Sequence, residues 1–341
     1  MLKTTQDIPK ENLILFDWLT FTSHCDSPES VMELLGLKHI TWQQMERGMN
    51  GYRSRYFFEN ISILYDGKDN MGVCVNMSGQ GCRAFETYST VGWDSLLNHL
   101  HLYGGTNADT GDYKITRLDM AFDDHTGILD IDDIWTDTLE RRYVSKAKTS
   151  QVIISDNQVT DIQGKTVKVG SDQSDMLIRI YDKAAERLMD GVHWVRVEMQ
   201  MRDEIAQGFN AGLQSASVSD QFRGVLHNYL RYVIPGTDSN KSRWPLASYW
   251  ADLLEVVGKI RCWSAPGVEY NEFNLSDFVI NQAGNAIDCY LQIFGLDDLL
   301  KMLAGRRVHM SPKYQRLLAK YERLKQKTED PEDLPSEVKH E

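Results

Sequence analysis

The chain's chemistry-bearing residues fall in three short stretches. In DMLIRIYDK (175–183), Tyr181 stands where an apolar run meets charge, with Arg179 and Lys183 on either side. TRLDMAFD (116–123) carries Asp119 and Asp123, and WVRVEMQMR (194–202) carries Arg196 and Glu198. Read as strands, each alternates with period two. Thr116, Leu118, Met120 and Phe122 share one face, with Arg117, Asp119, Ala121 and Asp123 opposite. Met176, Ile178 and Ile180 oppose Leu177, Arg179, Tyr181 and Lys183, while Val195, Val197, Met199 and Met201 oppose Trp194, Arg196, Glu198, Gln200 and Arg202. If the three strands share a sheet, one face gathers carboxylates, arginines and a phenol. Converging carboxylates suit a hard divalent cation, arginine forks match phosphate oxygens, and a phenol beside a polarised phosphodiester can attack phosphorus covalently. The competing reading is a half-solvated antiparallel sheet with cross-strand ion pairs, in which Tyr181 merely closes the core edge.

The elements that must position these residues are mixed. NLILFDWLTFT (12–22) is a β-rich run, and DSPESVMELLGL opens a helix with Asp26 or Ser27 as cap and Pro28 at its first position. Residues 56–66 and 71–77 predict two strands separated by the turn DGKDN. A helix is predicted over 91–105, a strand over 113–125, an acidic helix in LDIDDIWTDTLERR, and a hairpin in SQVIISDN and KTVKVG. From about 204 the pattern turns largely helical. The expected class is α+β: an antiparallel-rich central sheet with helices on its apolar face, plus C-terminal helices. The expected division is 10–235 as the main domain, 240–327 as a helical region, and 328–341 as a disordered acidic tail.

Composition narrows the class. The chain has 341 residues, 42% hydrophobic and 25% charged, which fits an ordinary globular protein. It has no run of about 18 apolar residues and no export signal, so no membrane partner is expected. Five cysteines without a C-x-x-C pair read as reduced packing thiols. The net charge of −12 argues against indiscriminate nucleic-acid binding. Residues 301–327 nevertheless hold nine Lys/Arg and one acid, among them Arg306, Arg307, Lys313, Arg316 and Lys320. They predict either a basic DNA-contacting helix or an amphipathic helix with a solvated side.

Two motifs are decoys. HLH at 99–101 has a metal-site spacing, but it sits in a helical pattern where i and i+2 diverge by about 200°. SGQGC (78–82) lacks the lysine of a phosphate loop and reads as a tight turn.

ILFDWLTFT, SGQGCRAFE, TRLDMAFDDH, VGSDQSDMLIRIYDKAAER, WVRVEMQMR and SRWPLASYW follow one another in an order that resembles the replication initiation factor family, over roughly residues 12–300. That family includes rolling-circle plasmid initiators, replication proteins of some filamentous phages and relaxases of conjugative elements. The resemblance implies a fold similar to HUH endonucleases, and an enzyme that nicks one strand of origin DNA and can rejoin ends. Tyr181 falls on the family's nucleophile, giving a 5′-phosphotyrosine and a free 3′-OH for host polymerase. Asp119 and Glu198 fall on the acids that bind Mg²⁺ or Mn²⁺. Arg179 and Lys183 would neutralise the scissile phosphate and its leaving oxygen, with Asp17, Asp123 and Arg196 as additional site residues. The implied setting is the cytoplasm of a bacterial host, with a host helicase as a further partner. An extra N-terminal helix-turn-helix is not expected. Two rivals stay open: a non-catalytic DNA-binding or regulatory protein using the same sheet face, and a phosphodiesterase in which water attacks.

Overall fold

The alternation of apolar and charged residues is what builds the sheet. The computed structural model describes residues 11–104, 112–157, 162–260, 284–305 and 318. The chain forms two compact units, Met1–Pro266 and Gly267–Glu341. In the first, ten strands form one sheet. They are β1 (Leu13–Ser23), β2 (Gln43–Met45), β3 (Ser54–Phe58), β4 (Ile61–Tyr65), β5 (Val73–Met77), β6 (Tyr113–Asp124), β8 (Ser150–Asn157), β9 (Ile162–Val169), β10 (Met176–Asp182) and β11 (Val195–Arg202). Their order is β2-β3-β4-β5-β1-β6-β11-β10-β9-β8, with antiparallel pairings. The three chemistry-bearing strands are therefore neighbours, with β11 between β6 and β10. The fold is α+β.

Helices cover the apolar face. α2 (Gly79–Tyr88), α3 (Trp93–Leu102), α4 (Ile131–Leu139) and α6 (Asp203–Gly212) pack on it. Phe16 of β1 lies 4.5 Å from the Trp93 ring, which in turn lies 4.6 Å from Phe85. Leu118, Met120, Phe122, Val197, Met199 and Ile180 complete this core. α1 (Pro28–Leu34) starts as its residues dictate: Ser27 caps it through Ser30 N–H, and Pro28 needs no donor there. α7 (Val218–Tyr229) packs on α8 (Ser248–Val257), and a separate ribbon joins β7 (Tyr143–Ser145) to β12 (Leu230–Tyr232).

Three local expectations change. Residues 56–66 are not one strand: Glu59 and Asn60, both at positive φ (42° and 67°), turn the chain between β3 and β4. SGQGC is not a tight turn but the start of α2. Ser78 holds the N-cap position, and Gly81 is needed because a Cβ there would sit 2.4 Å from the Asn60 carbonyl oxygen. Ile115, rather than Thr116, joins the core, because the β1–β6 register slips between Thr20 and Phe21.

In the second unit, α9 (Gly284–Phe294) and α10 (Leu296–Gly305) are joined at Gly295, whose φ of +81° permits the turn. The expected DNA-contacting residues Arg306, Arg307, Lys313, Arg316 and Lys320, and the tail 328–341, lie outside the described residues. No helix among the described residues is long and apolar enough to cross a membrane.

Phe122 is fully buried in the central strand β6. Phe122→Ala is expected to cost about 3–5 kcal/mol in urea unfolding. Ile154→Thr, on the exposed edge strand β8, should change stability by less than about 0.5 kcal/mol. Equal effects would place the core elsewhere.

Candidate active site

The ladders fix which side chains meet. Arg196 pairs across to Asp123 of β6 and to Tyr181 of β10; Glu198 pairs to Ala121 and Arg179; Gln200 pairs to Asp119 and Leu177. Glu198 and Asp119 are thus diagonal neighbours on one face, and Tyr181 and Arg179 join them from the other side. The polar face expected from the alternation exists, and its members lie against one another.

Two arginine–carboxylate sets divide this face. The first is closed. Arg196 is buried and donates through Nε and Nη2 to both oxygens of Asp123, at 2.6 and 2.7 Å. Its Nη1 reaches Asp17 at 3.1 Å. Asp17 alternates with the core residues Ile14 and Phe16 and so faces this side, and the register shift between Phe16 and Trp18 brings Trp18 to the same side beside Asp119. Gly79 lets α2 begin here, since a Cβ would lie 2.8 Å from Asp17 Oδ1. These contacts drive the Arg196 guanidinium well above its ordinary value despite burial.

The second set is open. Arg117 holds Asp119 in a fork, with Nε–Oδ1 at 3.0 Å and Nη2–Oδ2 at 2.6 Å, while the Arg117 guanidinium stacks 4.0 Å from the Trp18 ring. Arg179 Nη2 donates to Glu198 Oε1. The Tyr181 hydroxyl donates to Glu198 Oε2 at 3.1 Å and accepts from Lys183 Nζ at 3.4 Å. Lys183 heads the short helix α5 (Lys183–Glu186), whose N-cap is Asp182, and also pairs with exposed Glu186. A cleft of about 590 Å³ opens beside Tyr181, lined in part by Ser155, Gly164, Thr166, Arg179 and Glu186.

Burial sets the proton affinities. It raises the Tyr181 phenol, with the Glu198 charge adding to it and Arg196 opposing. It lowers the Lys183 ammonium, as does the charge of Arg196. Asp119 rises to about 7, chiefly by burial and further by Glu198, against the lowering effect of Arg117. The result is a neutral phenol hydrogen-bonded to a carboxylate and flanked by an ammonium of weakened proton affinity.

Asp119 and Glu198 are oxygen donors of the kind a hard divalent cation takes, and their oxygens are here engaged by Arg117, Arg179 and Tyr181. Burial beside a second carboxylate penalises the Asp119 charge, which a cation would relieve. Among the described residues no cluster of three His, Cys, Asp or Glu converges. Mg²⁺ commonly needs only one or two carboxylates plus phosphate oxygens and water. The HLH histidines take no part: both lie on α3, and His99 packs against Tyr103 and Tyr113. His193, without an expected role, places Nε2 3.1 Å from Asp124 Oδ2, which accepts from the protonated nitrogen. The sequence reading missed two features, the fork of Arg117 on Asp119 and the stacking of Trp18. The i, i+2 spacing of Arg117 and Asp119 was the available signal.

The raised Asp119 gives a pH test. Its carboxyl goes from 3.8 to about 7 on folding, so the folded state binds the extra proton between these values. Its charge therefore costs nothing below pH ~4 and the full penalty above pH ~7, at most about 4 kcal/mol. Asp119→Asn should raise Tm in EDTA buffer at pH 8 and lose that advantage by pH 4. A pH-independent difference would refute the buried-charge account.

The chain is similar to known proteins over both of its halves. The Replication initiation factor family profile matches residues 113–303, and that of the Rolling Circle replication initiation protein N-terminal domain matches 13–98. The "Putative DNA relaxase NicK" of Bacillus subtilis (strain 168) is 23% identical over 329 residues, covering 92% of this chain and 90% of its own. The rolling circle replication initiator protein from Geobacillus stearothermophilus superposes with a TM-score of 0.67 at 29% identity, over 74% of this chain and 99% of its own. With more than half of its length matched by the profile that also contains Asp119, Tyr181 and Glu198, the chain belongs to the replication initiation factor family.

Proposed function

We propose that the protein nicks one strand of origin DNA through a covalent tyrosine intermediate, and can reverse the step to rejoin ends. The observation that carries this reading is the Tyr181 hydroxyl, held 3.1 Å from Glu198 Oε2 and 3.4 Å from Lys183 Nζ at the mouth of a cleft. Tyr181 Oη attacks the scissile phosphorus and passes its proton to Glu198. The bond from phosphorus to the 3′-oxygen breaks, and Lys183, made a better acid by burial, protonates that oxygen. The products are a 5′-phosphotyrosyl link and a free 3′-OH, which host polymerase can extend once a helicase opens the duplex. The phosphodiester energy is kept in the protein–DNA bond, so the reverse reaction needs no nucleotide cofactor.

Arg179 and Arg117 supply guanidinium charge to the phosphate oxygens as charge develops there. Asp119 and Glu198 would hold Mg²⁺ or Mn²⁺, which when bound adds Lewis-acid neutralisation of the phosphate. The nick site is single-stranded in this reading, because a side chain rising from a sheet reaches a flexible strand more readily than a closed duplex.

The test uses DNA carrying the element's own origin, with Mn²⁺. Wild type should yield one cleavage site and a protease-sensitive protein–DNA adduct. Tyr181→Phe should lose the adduct by more than about a thousandfold while still binding DNA. A persisting adduct would remove Tyr181 from the reaction. Cleavage without an adduct would transfer attack to water, and binding without cleavage would favour the non-catalytic rival. Glu198→Gln should slow nicking by about 10²–10⁴-fold. Full activity in EDTA would eliminate the cation.

A further inference from the structure

The β7–β12 ribbon carries a second concentration of positive charge, on the side of the sheet away from Tyr181. Arg231 pairs with Val144 in this ribbon, and Lys146 N–H donates to the Tyr229 carbonyl. Alternation therefore turns Leu230 and Tyr232 inward, where both are fully buried, and leaves Arg231 on the outer face beside Lys146. The Lys146 ammonium lies 5.1 Å from the Tyr229 ring. Arg231 Nη2 donates to the Ser242 carbonyl in the 3₁₀ turn Lys241–Arg243, and Lys241 Nζ from that turn donates to the Arg141 carbonyl. Lys146 and Arg231 thus share one surface, which Lys148 joins across a common depression and Lys241 flanks through the 3₁₀ turn.

Charge neutralisation does not explain this cluster. Nearby acids are already engaged, Asp238 by Arg243 and both Asp137 and Glu140 by Arg142. Among the described residues Lys146, Lys148 and Arg231 have no carboxylate partner, in a chain of net charge −12. The surface is also concave. Two depressions meet at Lys146, one of about 470 Å³ that includes Lys148, Thr149, Ser171 and Ser174, and one of about 390 Å³ that includes His227 and Arg231. The larger one is lined as well by Asp175 and by the apolar Val169, Met176, Ile178 and Ile205. Unpaired cations with hydroxyls and a flat aromatic ring are the chemistry of phosphate contact.

Charge density favours duplex over single strand. Duplex DNA carries one phosphate charge per about 1.7 Å of axis, whereas a single strand is held largely by stacking on open aromatic faces, and the Tyr229 ring here lies under the Lys146 ammonium. The depression's Met176 and Ile178 leave β10 on the face opposite Tyr181, so the ribbon is a surface separate from the cleft. We infer that the outer face of the β7–β12 ribbon, with Lys146, Lys148 and Arg231 at its centre, holds the phosphate backbone of duplex DNA flanking the nick. This rests on the reading that the protein acts on DNA, and assigns a second contact surface distinct from the candidate active site.

The experiment compares full-length wild type, Lys146→Ala/Lys148→Ala/Arg231→Ala, and a control with three exposed cations removed elsewhere, Arg47→Ala/Lys68→Ala/Lys259→Ala. Fluorescence anisotropy measures binding to a mixed-sequence 30-base-pair duplex and to one of its strands across a salt series. Three lost phosphate contacts should reduce the slope of log K against log salt by about 2–3 for the duplex, with at least tenfold weaker binding at moderate salt. The single strand and the control should change little. An unchanged duplex slope, an equal loss in the control, or an equal loss on the single strand would overturn the inference. Adduct formation on a single-stranded nick site, measured in parallel, should survive in the ribbon variant. Absence of any adduct even with wild type would instead count against the nicking reading, leaving the ribbon result to stand on its own.

Discussion

The Arg196 guanidinium is the constraint around which the sheet is arranged. It is buried near the start of β11 and takes one carboxylate from β6 and another from β1, so one charge ties three strands together. A buried charge left unpaired would cost roughly 3–5 kcal/mol. That penalty fixes what lies against it: Asp17 stays on the polar side of β1, and a glycine lets α2 start against its carboxylate. Shifting β11 by one residue would put Arg196 in the apolar core and Val197 on the polar face.

The same chemistry serves a different end one residue pair further along. Arg117 and Arg179 also hold carboxylates, but their side chains remain 24% and 33% exposed, against 7% for Arg196. A partly exposed guanidinium can reach a phosphate without leaving water altogether, while its buried carboxylate partner still needs a positive neighbour or a proton. The difference in burial separates a set that organises the strands from a set that can answer a substrate. Residue type alone does not distinguish them, since both are arginines facing Asp or Glu.

Much of this was legible in the residues. Period-two alternation assigned Asp119, Glu198, Arg179 and Tyr181 to one face, because a strand's geometry leaves no other choice. Strand order was not legible: it depends on contacts between segments some eighty residues apart, and the alternation of β6, β10 and β11 is compatible with several arrangements. The two-residue turn at Glu59–Asn60 was hidden because it lacks the glycine that usually marks positive φ. The helix at Ser78 was hidden because its glycines are there for close approach to β1 and to the β3–β4 turn, a reason visible only when those elements are in place. The roles of Arg306, Arg307, Lys313, Arg316 and Lys320 remain expectations drawn from their charge.

Burial links Asp119 to whatever charge meets it. On this face Arg117 and Arg179 hold Asp119 and Glu198, while Lys183 is shared between the Tyr181 hydroxyl and Glu186, so the charges are matched among the protein's own groups. The Asp119 carboxyl is raised to about 7, chiefly by burial and further by Glu198, with Arg117 lowering it. Under the proposed function, a divalent cation at the two carboxylates would relieve that penalty, and Arg117, resting on Trp18, would keep the Asp119 side chain in place for it.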